Sequence, residues 1–419
     1  MSQYLKDSRA LQQCVEKAVR ETPVLDMHTH IYPPQFGDLL LWGVDDLLTY
    51  HYLVAEFFRY SSLTPEEFLS RTQKQQAELI WKALFVEHSP VSESNRGVLT
   101  VLNKLGLDVG SRDLKKFREY FAGVAVEDYV DRVFELANVE AVVMTNDPFD
   151  DRERPVWLES KGSSDPRFMA ALRIDPLLMD WDSSASRLEG WGYRTTGMLS
   201  EDTLSEISRF LHDWIERMKP LYLAVSLPPS FRYPEDSKRA RIIESCIIPV
   251  TRKAGIPFAM MIGVNKLVNP RLGVAGDGVA KSDIGSVEAL ARKFPDNRFL
   301  VTFLSRENQH EACIATRKFS NVMLFGCWWF LNNPSIIREL TAERIELLGT
   351  SFVPQHSDAR VLDQLVYKWS HSREIIARVL FEKYEDIRAT GWLVNEKEIR
   401  RDVKNLFSDN FKRFAGIGK

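Results

Sequence analysis

The 419-residue chain has few cysteines, no long apolar run and almost no net charge. Its four cysteines, Cys14, Cys246, Cys313 and Cys327, form no Cys-x-x-Cys pair, which favours reduced thiols and a cytoplasmic protein. No apolar run reaches the ~20 residues of a membrane span, and the amphipathic N-terminus has no apolar signal-peptide core. The formal net charge of −3 gives no electrostatic reason to expect a nucleic acid or a membrane as partner.

A pair of histidines is the most informative feature that is present. The stretch Val24–His28 reads as a strand, and His30 follows it by two residues. Alternate side chains of a strand share a face, so His28 and His30 are expected to point the same way. Two imidazoles and one carboxylate make a three-ligand metal site with an open position. Asp358 is the candidate carboxylate, and the neighbouring His356 is a rival ligand.

Short apolar runs alternate with amphipathic stretches over most of the chain. Most runs are continuously apolar, as expected for parallel strands that are buried on both faces. With Val24–His28 they make eight βα units, which predicts an α/β fold, a (β/α)8 barrel of the TIM type. The further predicted strands are Glu140–Thr145, Phe168–Arg173, Leu221–Ser226, Pro257–Ile262, Arg298–Thr302, Val322–Gly326 and Ile345–Ser351.

The predicted domain organisation is a single barrel domain over residues 1–419 with two helical additions. A helical insertion is expected over about residues 38–136, after strand 1, and a helical tail over 359–414. In such barrels the functional groups lie at the carboxyl ends of the strands. Conspicuous polar and aromatic residues fall at or just after the predicted strand ends: His28, His30, Arg173, Arg306, Trp328, Trp329, Asp358 and Arg360.

At this point the sequence resembles the amidohydrolase superfamily and, within it, the uronate isomerases, including the shorter bacterial type. His-x-His after strand 1 and an aspartate after strand 8 mark the superfamily. The closer resemblance is carried by five further segments in barrel order: Leu48–Arg59, Ala171–Pro176, Ser305–Asn308, Phe325–Pro334 and Ser357–Arg360. The resemblance implies interconversion of D-glucuronate with D-fructuronate and of D-galacturonate with D-tagaturonate, by proton transfer between C2 and C1.

The resemblance also implies roles for individual residues. Asp358 aligns as the third metal ligand and as the base that takes a sugar hydroxyl proton. Tyr52 helps proton transfer at C2, and His51 hydrogen-bonds the substrate. Arg360 assists Tyr52, and because a guanidinium is nearly always protonated it is expected to stabilise enediolate charge. The expected cofactor is one divalent metal, with Zn²⁺ first and Mn²⁺ or Fe²⁺ as alternatives.

Other site residues follow from chemistry. Arg173 ends an apolar strand, where burying a charge costs free energy unless the charge is paired. Its planar guanidinium has two parallel N–H donors that suit the substrate carboxylate. A structural ion pair is the alternative for Arg173. Trp328 and Trp329 either fill the core or line the sugar site with an aromatic face. Arg306 is predicted to contact the substrate, with Asn308 beside it.

One departure from the superfamily pattern keeps other functions open. Predicted strand 5 ends in Met261-Ile262-Gly263 and carries no histidine, which argues against a lysine-bridged two-metal hydrolase. The alternatives are hydrolysis of a lactone or amide, decarboxylation of a carboxylated small molecule, and a sugar-acid-binding barrel without activity. The protein is also a candidate homo-oligomer through exposed tryptophans and phenylalanines of the helical insertion.

Overall fold

The computed structural model describes residues 4–5, 7–160 and 165–417. Seven strands form one parallel sheet that is traversed in chain order, apart from an inserted two-stranded hairpin between the fifth and sixth of them. The strands are Val24–Thr29 (β1), Val139–Asn146 (β2), Phe168–Arg173 (β3), Leu223–Leu227 (β4), Phe258–Ile262 (β5), the hairpin pair Val264–Asn265 (β6) and Gly278–Val279 (β7), Phe299–Phe303 (β8) and Val322–Leu324 (β9). The predicted α/β fold with a parallel sheet is therefore confirmed.

An extended segment, residues 352–358, connects the two edges of this sheet. On the β9 side the Val353 amide donates to the Leu324 carbonyl at 3.1 Å, and the Gly326 amide donates to the Val353 carbonyl at 2.8 Å. On the β1 side the Asp358 amide donates to the His28 carbonyl at 3.1 Å. These bonds place Asp358 directly beside the histidine pair.

The predicted eighth strand, Ile345–Ser351, is wrong. Its apolar residues continue the helix Pro334–Leu348, which ends at Gly349 with a φ of 62°. A short apolar run fits a buried strand and the last turn of a helix equally well, so its periodicity alone did not distinguish them. The segment that lies at the edge of the sheet begins one residue after the predicted strand, at Phe352.

The chain between β1 and β2 is helical. Two of its helices begin at threonines, Thr64 and Thr72, whose side chains form reciprocal capping boxes with the third helical residue. The α-helices are Val44–Leu48, His51–Phe57, Pro65–Leu69, Gln73–Trp81, Glu93–Lys104, Leu114–Ala122 and Val126–Ala137, with 3-10 turns at Pro34–Leu39 and Val109–Ser111 and a π turn at Lys82–Glu87.

The remaining helices flank the strands or form the two ends of the chain. They are Ser8–Glu21, Glu153–Ser160, Asp175–Met179, Trp181–Gly190, Glu201–Met218, Lys238–Ile242, Ile248–Ala254, Ile284–Lys293, Gln309–Thr316, Pro334–Leu348, Gln364–Ala389, Glu396–Lys404 and Asn410–Ala415. Shorter turns of π or 3-10 type lie at Ile243–Ile247, Pro270–Gly276, Arg306–Asn308, Trp329–Leu331 and Asn405–Asp409. No helix in the described part of the chain is long and apolar enough to cross a membrane.

Two hydrophobic clusters lie on the two faces of the sheet. On β5, Ala259 and Met261 belong to the smaller cluster, whereas Phe258, Met260 and Ile262 belong to the larger one. The smaller cluster is rich in alanine from successive strands because a curled sheet leaves little room on its concave face. Its alanines on the strands are Ala141, Ala171, Ala224 and Ala259.

The aromatic side chains of the helical insertion do not form the exposed surface that the sequence suggested. Every tryptophan and phenylalanine between β1 and β2 is buried or half-buried, including Phe68 and Phe117 at 0% and 1% exposure. These rings pack within the main hydrophobic cluster. The proposed basis for an oligomer, exposed tryptophan and phenylalanine in the insertion, is therefore wrong.

Candidate active site

His28, His30 and Asp358 come together at the end of β1. Their ligand atoms all lie within 4.8 Å of one another. The Asp358 Oδ1 atom lies 3.7 Å from the Nε2 atom of His28 and 3.4 Å from that of His30. His28 and Asp358 are buried and His30 is half-buried. Two imidazoles and a carboxylate at these distances can hold a divalent cation.

A tyrosine hydroxyl fixes the orientation of His28. Tyr222, just before β4, donates its one hydroxyl proton to the Met27 carbonyl at 2.6 Å. Its oxygen lies 3.2 Å from the Nδ1 atom of His28 and is left to accept a bond from that atom. The proton of neutral His28 is therefore on Nδ1, and the Nε2 lone pair faces the cluster.

A threonine hydroxyl does the same for His30. Thr145 on β2 donates to the Thr29 carbonyl at 3.0 Å, and its oxygen lies 2.7 Å from the Nδ1 atom of His30. In both cases a hydroxyl bonds the carbonyl of the residue before the histidine and receives the Nδ1 proton of that histidine. The paired arrangement directs both Nε2 lone pairs toward Asp358.

The atoms that face one another in this cluster lack other partners. The buried Nε2 atom of His28 and the Oδ1 atom of Asp358 have no hydrogen-bond partner among the described residues. Burial lowers the pKa of His28 to about 3, so its imidazole is neutral and its Nε2 atom is free to act as a ligand. Unsatisfied buried polar atoms are costly unless something binds them, and a cation satisfies them all. The donor set therefore fits a metal.

Asp358 is held in place by its backbone. Its φ of 50° lies in the left-handed region, which a non-glycine residue adopts at a cost. The preceding residue, Ser357, is fixed from both sides. Its amide donates to Asp26 at 3.0 Å, and its carbonyl accepts a bond from the Lys368 ammonium at 2.5 Å. Burial lowers the pKa of Lys368 to about 8.

A cavity of about 190 Å³ opens beside the cluster. Its lining combines charged and aromatic side chains with a few apolar ones, which suits a small polar ligand that carries C–H faces. The lining residues are His28, His30, His51, Arg173, Ser226, Met261, Val264, Lys266, Val274, Asp277, Trp328, Trp329, Asp358 and Arg360.

The three predicted site arginines have different environments. Arg173 lines the cavity and also donates two hydrogen bonds of 2.9 Å to Asp175. The predicted structural ion pair is therefore present, and the guanidinium is also at the cavity, as a role in substrate binding requires. Arg360 lines the cavity, and no ion pair to its guanidinium is found in the described ranges. The structure does not bring Arg306 to the cavity, because its side chain is 55% exposed and pairs with Glu339 at 3.0 Å.

The aromatic residues converge at one wall of the cavity. The His51 ring lies 4.6 Å from the Tyr52 ring and 5.4 Å from that of Trp329, measured between centroids. Burial lowers the pKa of His51 to about 3 and raises that of Tyr52 well above its usual value. Trp328 and Trp329 line the cavity, whereas Tyr52 lies behind His51 with its hydroxyl buried and unpartnered within the described structure.

Two neighbouring residues lie outside the cluster. His356 is fully buried, with its ring centroid 5.2 Å from that of His28, and it is not one of the three grouped ligand residues. Gly326 makes room for it, since a Cβ there would lie 1.7 Å from the His356 ring. Asn308 bonds both backbone groups of Ser282 at 2.9 Å and does not line the cavity.

Sequence reasoning missed several residues of the site, among them Tyr222, Thr145, Lys266 and Asp277. Tyr222 and Thr145 fall within the predicted strands, and the position of Thr145 at a strand end is a signal that was available. Lys266 and Asp277 come from the hairpin after β5 and carry no sequence motif. Their place in the cavity depends on how that hairpin folds back over the sheet.

Comparison with known proteins places the chain in a family. No protein-family model matches it, and no curated protein matches it. A crystal structure of a uronate isomerase from Bacillus halodurans C-125 has 57% identity and a TM-score of 0.97, and covers 98% of this chain and 97% of its own. A uronate isomerase from Thermotoga maritima (15% identity, TM-score 0.77) and a glucuronate isomerase from Caulobacter crescentus (14%, 0.78) cover at least 96% of both chains and share the fold.

The fold and the site define the class of protein first. A curled parallel sheet with His-x-His and a distant aspartate at its carboxyl end is the arrangement that marks the amidohydrolase superfamily. Within that superfamily the identity of 57% over nearly the whole of both chains is decisive. The chain belongs to the uronate isomerase family.

Proposed function

We propose that this protein is a metal-dependent uronate isomerase that interconverts D-glucuronate with D-fructuronate and D-galacturonate with D-tagaturonate. The observation that carries this proposal is the 57% identity to the Bacillus halodurans uronate isomerase over 98% of the chain. The grouped His28, His30 and Asp358 side chains and the charged cavity beside them support it.

The architecture that supports the reaction is a (β/α)8-type barrel. The seven sheet strands are seven strands of the barrel. The extended segment 352–358 takes the eighth position, because its backbone forms hydrogen bonds with both edges of the sheet. Asp358 then lies at the carboxyl end of the eighth strand position, where barrels of this type carry their functional groups.

We assign His28, His30 and Asp358 as the ligands of one divalent metal, with zinc as the first candidate and manganese or iron as alternatives. Two neutral imidazole nitrogens and one carboxylate oxygen suit each of these ions. When bound, the metal supplies Lewis-acid polarisation of the substrate carbonyl and hydroxyl. Tyr222 and Thr145 keep both histidines in the required tautomer.

The proton chemistry is assigned to Asp358, Tyr52 and Arg360. Asp358 accepts the proton of the sugar hydroxyl and so helps to open the ring. The pKa of Tyr52 lies well above its usual value because of burial, so its hydroxyl rests protonated, and from behind His51 it assists the proton transfer at C2. Arg360, which lacks a carboxylate partner within the described ranges, offers its positive charge to the enediolate.

Substrate binding is assigned to His51, Arg173, Trp328 and Trp329. His51 is neutral because burial holds its pKa at about 3, and it has a buried ring nitrogen without a partner for a substrate hydroxyl. Arg173 keeps a bidentate pair with Asp175 that orients its guanidinium at the cavity wall, from which it faces the substrate carboxylate. The two tryptophans offer apolar faces to the sugar ring.

An NMR assay of the purified, metal-analysed protein with D-glucuronate in D2O tests the proposed function. New D-fructuronate signals and exchange at C2, lost after chelation and restored by a metal, are the expected result. The same assay with D-galacturonate identifies the preferred uronate. Absence of turnover on both, with one metal bound per chain, would reject the isomerase and leave hydrolysis or decarboxylation of another carboxylated substrate.

A further inference from the structure

A hairpin after β5 forms part of the cavity wall. Gly263 turns the chain with a φ of 125°, and β6 and β7 then pair antiparallel, Val264 with Val279 and Asn265 with Gly278. The loop between them closes where the Asn269 amide donates to the Gly276 carbonyl at 3.0 Å. We refer to residues 264–279 as the strap.

The strap connects two sides of the cavity mouth. Its base follows β5, and four of its side chains, Val264, Lys266, Val274 and Asp277, line the cavity. Its far end is tied to the helix Pro65–Leu69 of the insertion by Arg271. The guanidinium of Arg271 makes two bonds to Glu66, at 3.0 and 2.7 Å. The strap therefore lies across the opening between β5 and the helices that follow β1.

Lys266 is the cation that the strap brings to the cavity. Among the described residues its ammonium has no ion pair and no hydrogen bond. Arg173 is engaged by Asp175 at the same cavity. Asp277 makes no ion pair with Lys266 in the described part of the chain, and one of its oxygens accepts the Leu267 amide at 2.7 Å. A flexible lysine with three free donors at the rim suits an anionic group that enters from solvent.

We propose that Lys266 binds the carboxylate of the uronate substrate, so that the strap is an element that determines specificity for acidic sugars. The assignment rests on the proposed function and adds a second cation to Arg173. It explains why an exposed lysine, otherwise unpartnered within the described part of the chain, lines a cavity that already contains two arginines. A charge at the rim strengthens ground-state binding and leaves the proton transfer itself untouched.

The test compares Lys266→Gln, Lys266→Arg and the control Lys281→Gln, an exposed lysine that does not line the cavity. For D-glucuronate, Lys266→Gln is expected to raise KM about tenfold with kcat within about twofold, since uniform binding is lost. Lys266→Arg is expected to recover most of the affinity, and Lys281→Gln to match the parent. The KM of the parent is expected to rise with ionic strength more steeply than that of Lys266→Gln.

Binding calorimetry with D-glucuronate and its uncharged relative D-glucuronamide separates this proposal from the proposed function. Lys266→Gln is expected to weaken binding of the acid and to leave binding of the amide unchanged. Equal loss for both ligands, or no loss for the acid, would overturn the role of Lys266 even where the parent isomerises uronates. Absence of turnover in the parent rejects the isomerase, and the binding comparison still decides the role of Lys266.

Discussion

The cluster of His28, His30 and Asp358 and the strap are two parts of one cavity that are built in opposite ways. Around the cluster, Asp26 and Lys368 are at most 2% exposed, and hydroxyls and backbone groups fix each ligand. The strap leaves Leu267, Val268 and Val274 more than half exposed and is tied at its far end by a surface ion pair. In the proposed mechanism the groups that need fixed distances lie at the end of the sheet, and the strap adds one residue that binds the substrate.

The two regions are expected to respond differently to substitution because their hydrogen bonds differ in burial. A ligand on the sheet is held by several buried bonds, so the loss of any one leaves a polar atom without a partner. Many residues of the strap are exposed to water, which can replace a hydrogen bond that is lost there. Variants in the two regions are therefore expected to differ by orders of magnitude in effect.

The largest effect is expected for Asp358→Asn. Asparagine has the same shape and tolerates the left-handed φ of 50°, so the fold is expected to persist. The lost negative charge removes a metal ligand and the base, and kcat is expected to fall about 10³-fold or more. NMR turnover and metal analysis measure the effect, with circular dichroism as the check on folding. Near-parental turnover in a folded variant would remove Asp358 from the mechanism.

The next effect is expected for the two hydroxyls behind the histidines. Tyr222→Phe and Thr145→Val remove the acceptor that holds each Nδ1 proton, and each is expected to weaken metal binding about 10–100-fold. Thr341→Val is the matched control, because the buried Thr341 hydroxyl has no partner in the described structure and lies in the helix Pro334–Leu348. Competition with a chromogenic chelator measures the affinity. Unchanged affinity in both variants would show that the sheet positions the histidines unaided.

A pH effect on stability is expected from Lys368. Burial lowers its pKa in the folded protein from 10.5 to about 8, so the unfolded chain binds more protons between those values and stability rises with pH there. The unfolding free energy of the metal-free parent, relative to Lys368→Met, is expected to increase by about 2 kcal/mol from about pH 7 to about pH 9.5. Urea unfolding of both proteins across this range measures it. A constant difference would mean that Lys368 keeps an ordinary pKa.

The smallest effect is expected where the strap is tied to the insertion. Glu66→Gln removes one charge of an exposed pair, which water and salt largely screen. The melting temperature is expected to stay unchanged, and KM for D-glucuronate to rise about twofold at most, since Arg271 keeps a neutral acceptor. Lys104→Gln, a change at an unrelated helix end, serves as control. A large increase in KM would show that the position of the strap depends on this pair.

The main elements were predictable because they depend on local pattern, and the family was indicated by the resemblance of several short segments. Continuous apolar runs predicted parallel strands, and six of the seven later runs coincide with strands of the sheet to within two residues at each end. The exception, Ile345–Ser351, failed because helix and strand read alike over a short apolar run. The sequence also predicts that His28, His30 and Asp358 form one group, and in the structure the nitrogen and oxygen atoms that could bind a metal lie within 4.8 Å of one another.

Other parts of the site depended on which residues meet across the fold. The pattern at Arg306 resembles that at Arg173, yet Arg306 is bonded to Glu339 on the surface and Arg173 is at the cavity. Tyr222 lies 194 positions from His28 in sequence, and nothing local indicates their contact. The same holds for Lys266, which reaches the cavity only because the strap folds back over the sheet end.

The parallel α/β sheet and the pairing of His28 with His30 followed from the sequence alone, because they depend on residue type and on spacing along one strand. The family and the choice of Asp358 were implied by the resemblance of several short segments to the uronate isomerases. Only the tertiary structure decided which hydroxyls hold the histidines, which arginines line the cavity and which lysine lies beside them. The reason is physical: hydrogen bonds and ion pairs act over a few ångströms in space. Spacing along the chain fixes such distances within one strand, whereas between distant segments only the packed sheet and its loops fix them.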